Sequence, residues 1–161
     1  MPIKAMQESS KRGIYDELYT PYEAVHYLIP FLPNKIIWES APGDGKLVNI
    51  LKQKGYLVVW SDQDYFEWKP EVWDIQVTNP PFSIKAKWLK RANELGKPYA
   101  ILLPITTLGA RNCQLQLDDV ELILLPHRID FTGKKAPWFA VAWFTKGLKL
   151  PKQINFVKKD Q

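Results

Sequence analysis

Residues 99–105, Tyr-Ala-Ile-Leu-Leu-Pro-Ile, are apolar or aromatic at every position. A strand of that composition has no face to turn to water, so it belongs inside a sheet covered on both sides. Helices above and below a mainly parallel sheet meet this requirement. Shorter apolar runs at 36–39, 56–60, 73–78, 120–125 and 138–144 read as further strands. Between them, 46–54 sets Leu47, Val48, Ile50 and Leu51 on one helical face, and Gly55 stops it. Residues 84–95 read as another helix, closed by Gly96 and Pro98. An amphipathic helix over 22–32 follows Thr20-Pro21, with Thr20 as N-cap and Pro21 at the first helical position. The loop 128–137 joins the last two apolar runs as an antiparallel pair. Trp138 and Trp143 are assigned to the core or to strand ends. The expectation is one α/β domain over 1–161, with 1–13 a flexible lead and 151–161 a loosely held basic tail.

Composition narrows the setting. With 161 residues, 46% hydrophobic and 24% charged, the chain has the make-up of a folded soluble domain. No apolar run approaches the roughly 18–20 residues that span a bilayer. Residues 1–12 lack the apolar centre of an export signal, so a cytoplasmic location is the default. Cys113 is the single cysteine and His26 and His127 are the only histidines, so neither a disulfide nor a metal centre is expected. The net charge of +5 suits a polyanionic partner, although solubility alone also accounts for it.

In sheets of this kind, ligands bind beyond the carboxyl ends of the strands, near the point where strand order reverses. Two segments fall there. Glu39-Ser40-Ala41-Pro42-Gly43-Asp44-Gly45 follows the first strand and opens a helix. Glycines let the backbone approach a ligand closely, and a helix start offers unpaired N–H groups to a carboxylate. Glu39 can accept from an ammonium group. Asp62 closes the second strand, where an acid commonly holds ribose hydroxyls. Asp64-Tyr65-Phe66 adds an acceptor and two rings able to hold an adenine. Alone, Pro-Gly-Asp-Gly would be a turn, and no phosphate-loop lysine follows it.

The second segment is Asn79-Pro80-Pro81-Phe82, which chance would place in roughly one chain of this length in a thousand. An aromatic amine is a poor nucleophile because its lone pair is delocalised into the ring. Acceptors on both N–H bonds draw the nitrogen toward tetrahedral geometry and free the pair. The Asn79 side-chain oxygen and the Pro80 carbonyl are the two candidate acceptors. Pro81 holds Pro80 extended and so aims that carbonyl. This is electrostatic preorganisation with no general base. Phe82 can stack on an extruded base. A strand-ending diproline turn is the plainer alternative.

At these residues the chain resembles the N6-adenine DNA methyltransferase family, in particular its small phage-type members, over about residues 15–150. The resemblance implies S-adenosyl-L-methionine as cofactor and a Rossmann-like methyltransferase fold: a mainly parallel seven-stranded sheet, an antiparallel last strand, and helices on both faces. It places Tyr19, Thr20 and Pro21, with Leu18 before them, at the methionine part of the cofactor. Glu39, Ala41, Gly43 and Gly45 form the cofactor loop, Asp62 the ribose contact, and Asp64 and Phe66 the adenine contact. Asn79 belongs to both the cofactor and the catalytic sets, and Pro80, Pro81 and Phe82 complete the latter. Two departures stand out. Only Gln63 separates Asp62 from Asp64, which leaves little room for the usual helix after strand two. No separate target-recognition domain is expected, so specificity falls to loops 105–118 and 127–137, to a specificity partner or homodimer, or is absent.

Lys85, Lys87, Arg111, Arg128, Lys134 and Lys135 are the candidate phosphate contacts, with Lys90, Arg91 and His127 near them. The favoured partner is double-stranded DNA with base flipping, without a membrane. RNA adenine and a protein glutamine amide are alternative substrates, since the same tetrapeptide suits either. A methyltransferase-fold module that binds nucleic acid or a host protein without catalysis is the alternative of a different class.

Overall fold

The computed structural model describes residues 19–159. The expected lead over 1–13, Leu18 and the last two residues of the expected tail lie outside the described residues.

Seven strands form one sheet: β1 (Ile37–Glu39), β2 (Val58–Trp60), β3 (Ile75–Thr78), β4 (Tyr99–Pro104), β5 (Glu121–Leu124), β6 (Val141–Lys146) and β7 (Ile154–Phe156). Their order is β2-β1-β3-β4-β6-β5-β7. β6 alone is reversed, antiparallel to both β4 and β5. The all-apolar run lies where its composition demands, with β4 central and buried at every position. The reversed strand was expected to be the last. It is the sixth, because the expected tail contributes β7, parallel to β5. That strand escapes sequence reading because its inward residue is polar. Asn155 is buried, and its Nδ2 donates to the Leu122 carbonyl at 3.0 Å and the Lys152 carbonyl at 2.7 Å.

Among the described residues, three α-helices accompany the sheet: α1 (Tyr22–His26), α2 (Lys46–Gln53) and α3 (Lys85–Leu95). The helix expected over 22–32 stops at His26 and continues as a 3-10 turn at Ile29–Phe31. Pro30 explains the break, since it has no N–H to give the His26 carbonyl. Pro21, rather than Thr20, is the residue before the first helical turn. α2 buries Leu47, Val48, Ile50 and Leu51, the face read from the spacing. α3 ends at Gly96, whose φ of +72° suits glycine.

β1 leads through α2 to β2 on one side, and β3 leads through α3 to β4 on the other. Right-handed crossovers therefore set α2 and α3 on opposite faces. Strand order reverses between β1 and β3.

No helix forms between β2 and β3. Aromatic side chains of that segment cover the sheet instead. Tyr65, Trp68 and Trp73 pack on Trp38 with ring centroids 5.5, 6.1 and 5.2 Å away. Tyr65 stacks on Trp88 of α3 at 4.0 Å and 11°. Arg91 pins the segment: its Nε donates to the Tyr65 carbonyl at 2.7 Å and its Nη2 to the Trp68 carbonyl at 3.3 Å. On the other face, Trp143 is fully buried and its Nε1 donates to the Ala24 carbonyl of α1 at 2.9 Å. Among the described residues, no helix is long and apolar enough to cross a membrane.

Candidate active site

β1 and β3 are parallel neighbours, with Ile37 beside Ile75 and Trp38 beside Gln76. The segments that follow them, 39–45 and 79–82, therefore emerge side by side at the switch point. Gln76 of β3 ties the first segment to the strand that precedes the second. Its Nε2 donates to Ser40 Oγ at 2.7 Å and also lies 3.1 Å from the Tyr65 hydroxyl. A glutamine between Ile75 and Val77 was the sequence signal for this tie, and sequence reasoning passed over it.

The 39–45 loop is a built turn. The Gly45 N–H donates to the Pro42 carbonyl at 2.7 Å, and Asp44 Oδ1 accepts from Lys46 N–H at 2.9 Å. Gly43 has a φ of +53°. A Cβ there would stand 3.1 Å from Cε1 of Tyr19, so the tyrosine ring lies across this glycine. Tyr19 is half exposed, while Thr20 is buried. The structure thus joins the segment before α1 to the glycine loop.

Glu39 is only 1% exposed. Its Oε1 accepts from the Ala41 N–H at 2.8 Å, which turns the carboxyl into the base of the loop. Burial raises its pKa to about 7, against the opposing pull of the Thr78 hydroxyl and the Ala41 N–H.

Asp62 is exposed, two residues past the end of β2. Asp64 caps its own turn, with Oδ1 accepting from Phe66 N–H at 2.9 Å. Tyr65, read as one of two rings for an adenine, is instead in the core. Phe66 remains 36% exposed, edge-on to Tyr65 and Trp88.

In the tetrapeptide, Asn79 is half-buried, and Pro80 and Pro81 are buried. Pro81 has φ −57° and ψ 124°, and a 3-10 turn at Phe82–Ile84 leads straight into α3. Phe82 is 7% exposed and meets Phe139 edge-on at 6.0 Å, which leaves little of its ring for a base.

The expected phosphate contacts divide. Lys85 opens α3, with Nζ 3.5 Å from the Phe82 carbonyl. Lys87, Arg111, Lys134 and Lys135 are exposed. Arg91 is a structural clamp, as above. Arg128 Nη1 donates to the Pro137 carbonyl at 3.3 Å and ties the feet of its loop. His127 Nε2 meets a Glu23 carboxylate oxygen, linking that loop to α1. Cys113 is buried, and burial pushes its thiol pKa up, which does not suit a nucleophile. Trp138, assigned to the core or a strand end, is 70% exposed. β6 begins at Val141, so Trp138 belongs to the loop. Its place directly after Lys134-Lys135-Ala136-Pro137, outside strand alternation, was the available signal.

No protein-family model matches the chain. No curated protein matches it. Solved structures do match in shape. A dimethyladenosine transferase from Plasmodium falciparum superposes with a TM-score of 0.54 at 11% identity, over 80% of this chain and 62% of that one. This chain thus spans less than two thirds of the Plasmodium protein's length. A candidate class I S-adenosylmethionine-dependent methyltransferase from Listeria monocytogenes gives 0.55 at 15% identity, over 98% of this chain and 71% of that one. A candidate RNA methyltransferase from Pyrococcus horikoshii gives 0.52 at 12%, over 88% and 93%. Identities this low speak to fold alone. The chain has the Rossmann-like methyltransferase fold, mainly parallel with one reversed strand.

Proposed function

We propose that the chain is an S-adenosyl-L-methionine-dependent methyltransferase acting on an exocyclic amino nitrogen, N6 of adenine in nucleic acid, with DNA as the first expectation. One observation carries this reading. The glycine loop 39–45 and Asn79-Pro80-Pro81-Phe82 follow neighbouring parallel strands at the switch point, and Gln76 of β3 donates to Ser40 of the loop. One segment suits a donor molecule and the other an amine acceptor. Across two neighbouring strand ends, a methyl group has a short path between them.

The residues fit the cofactor. Gly43 leaves open the space that a Cβ would fill beneath Tyr19. Tyr19, Gly43, Gly45 and Asp62 would hold it, and an ammonium group at the loop would favour the ionised form of Glu39. When bound, S-adenosyl-L-methionine supplies an electrophilic methyl group. The chain's own work is done at the amine. The Asn79 side-chain oxygen and the Pro80 carbonyl accept its two N–H bonds and free the lone pair for attack. Pro80 and Pro81 are both buried, and the ring of Pro81 restricts Pro80, so that carbonyl is held without reorganisation. No residue need take a proton beforehand, since the methylated nitrogen releases one to water afterwards.

Adenine is favoured by the motif and by the name of the Plasmodium neighbour, a dimethyladenosine transferase. RNA is the second reading, which the name of the Pyrococcus neighbour favours. Incubation with methyl-labelled cofactor and extracts of DNA, RNA and protein tests the proposal. Label in nucleic-acid adenine is expected. Label confined to protein overturns the substrate class, and no cofactor binding at millimolar concentration overturns the enzyme reading.

A further inference from the structure

Phe82, Phe139 and Trp138 form a train of rings leading from the tetrapeptide to solvent. Phe139 meets Phe82 edge-on at 6.0 Å and Trp138 edge-on at 5.4 Å. The inner two rings are buried and the outer one is open.

The loop that carries Trp138 is built. Asp130 Oδ1 accepts from Thr132 N–H and Gly133 N–H at 3.0 Å, and from Thr132 Oγ1 at 3.2 Å. Thr132 Oγ1 in turn accepts from Lys134 N–H at 3.2 Å. Gly133, at φ +75°, makes the turn. Ile129 and Phe139 anchor the two feet in the core, and Arg128 fastens one foot to the other. This scaffold holds Lys134 and Lys135 outward, four and three residues before the exposed indole. A tryptophan open on a fixed loop beside two cations has the chemistry of a nucleobase platform.

We propose that Trp138 stacks on an unpaired nucleobase next to the target while Lys134 and Lys135 take the adjoining phosphates, so that this loop selects single-stranded or locally unpaired substrate. An indole face can meet a base only where that base is free of its helical neighbours. This departs from the duplex partner expected from the resemblance. It rests on the nucleic-acid reading of the active site and deepens it.

The test is fluorescence anisotropy of labelled DNA and RNA oligonucleotides, as single strands and as duplexes, with the full chain. The parent is expected to bind single strands more tightly than duplexes of the same sequence. Trp138→Ala should weaken single-strand binding by about 5- to 150-fold and leave its salt dependence unchanged. Trp138→Phe should keep most of the affinity. Lys134→Gln with Lys135→Gln should lower the slope of log affinity against log salt by about 1–2. Single-strand affinity of Trp138→Ala within twofold of the parent, equal losses in the Ala and Phe variants, or a preference for duplex overturns the proposal. Calorimetry with S-adenosyl-L-methionine on the same proteins separates the two readings. Cofactor binding with no Trp138 effect sinks this inference alone. A Trp138 effect without cofactor binding sinks the catalytic reading and leaves the base contact standing.

Discussion

Glu39 is held buried at the end of a strand, where water cannot solvate its charge. Its carboxyl ionises near 7 in the folded chain and near 4.5 in an ordinary setting. Between those values the folded state keeps a proton that the unfolded state has lost, so stability falls as pH rises. The contribution is fully present below about 4.5 and is lost as pH passes about 7. At 1.4 kcal/mol per unit, this amounts to roughly 3 kcal/mol. Glu39→Gln removes the dependence. Denaturant titrations from pH 4.5 to 8 should show the parent losing stability relative to the variant over that range, and parallel curves would refute the assignment. Asn79 stands at the end of the neighbouring strand. Asn79→Ala should lower the rate of methyl transfer by about 100- to 1,000-fold. Cofactor affinity should stay within about tenfold, as read by calorimetry beside single-turnover rates. Both residues were legible in the sequence because polar side chains stood at strand ends, one before a glycine-rich turn and one before a diproline. The burial of Glu39 was not legible, because the N–H that holds it belongs to a loop whose path only the fold sets.

At the scale of elements, two loops and one irregular segment decide the site. Gly43 lies at a positive φ under the Tyr19 ring. Gly43→Ala should therefore cost about 1–2 kcal/mol from backbone strain and displace the ring. Thermal unfolding checks the first effect and cofactor titration the second; a variant equal to the parent in both would remove Tyr19 from the site. The segment between β2 and β3 covers the sheet with rings rather than a helix. Trp88→Ala, which strips Tyr65 of its stacking partner, should destabilise the chain by about 3–5 kcal/mol. A loss under 1 kcal/mol in denaturant titration would mean that the cluster is not what holds the segment. The sequence announced that a helix was short of room there. It did not announce the ring cluster, because Trp38, Tyr65, Trp68, Trp73 and Trp88 follow no period and meet only in three dimensions. The regular elements were legible where apolar spacing carried them, as in α2 and β4. β7 was not, since Asn155 is buried by hydrogen bonds rather than by apolarity.

Across the whole molecule, the order of the sheet explains why two sequence segments some 40 residues apart share one site. Crossovers in opposite directions from β1 and β3 open a crevice between them. The glycine loop enters from one side and Asn79-Pro80-Pro81-Phe82 from the other. The basic loop 128–137 connects β5 to the reversed strand and, through Phe139, reaches the same end of the sheet. The glycine loop, the Asn79-Pro80-Pro81-Phe82 segment and the basic loop thus meet at one end of the sheet. The most direct measurement digests nucleic acid to nucleosides after incubation with S-adenosyl-L-methionine and the parent or Asn79→Ala chain, then separates the methylated bases by mass and retention. N6-methyladenine is expected with the parent, and a loss of about 100-fold or more with the variant. Methyl groups on another atom, or equal yields from both chains, would contradict it.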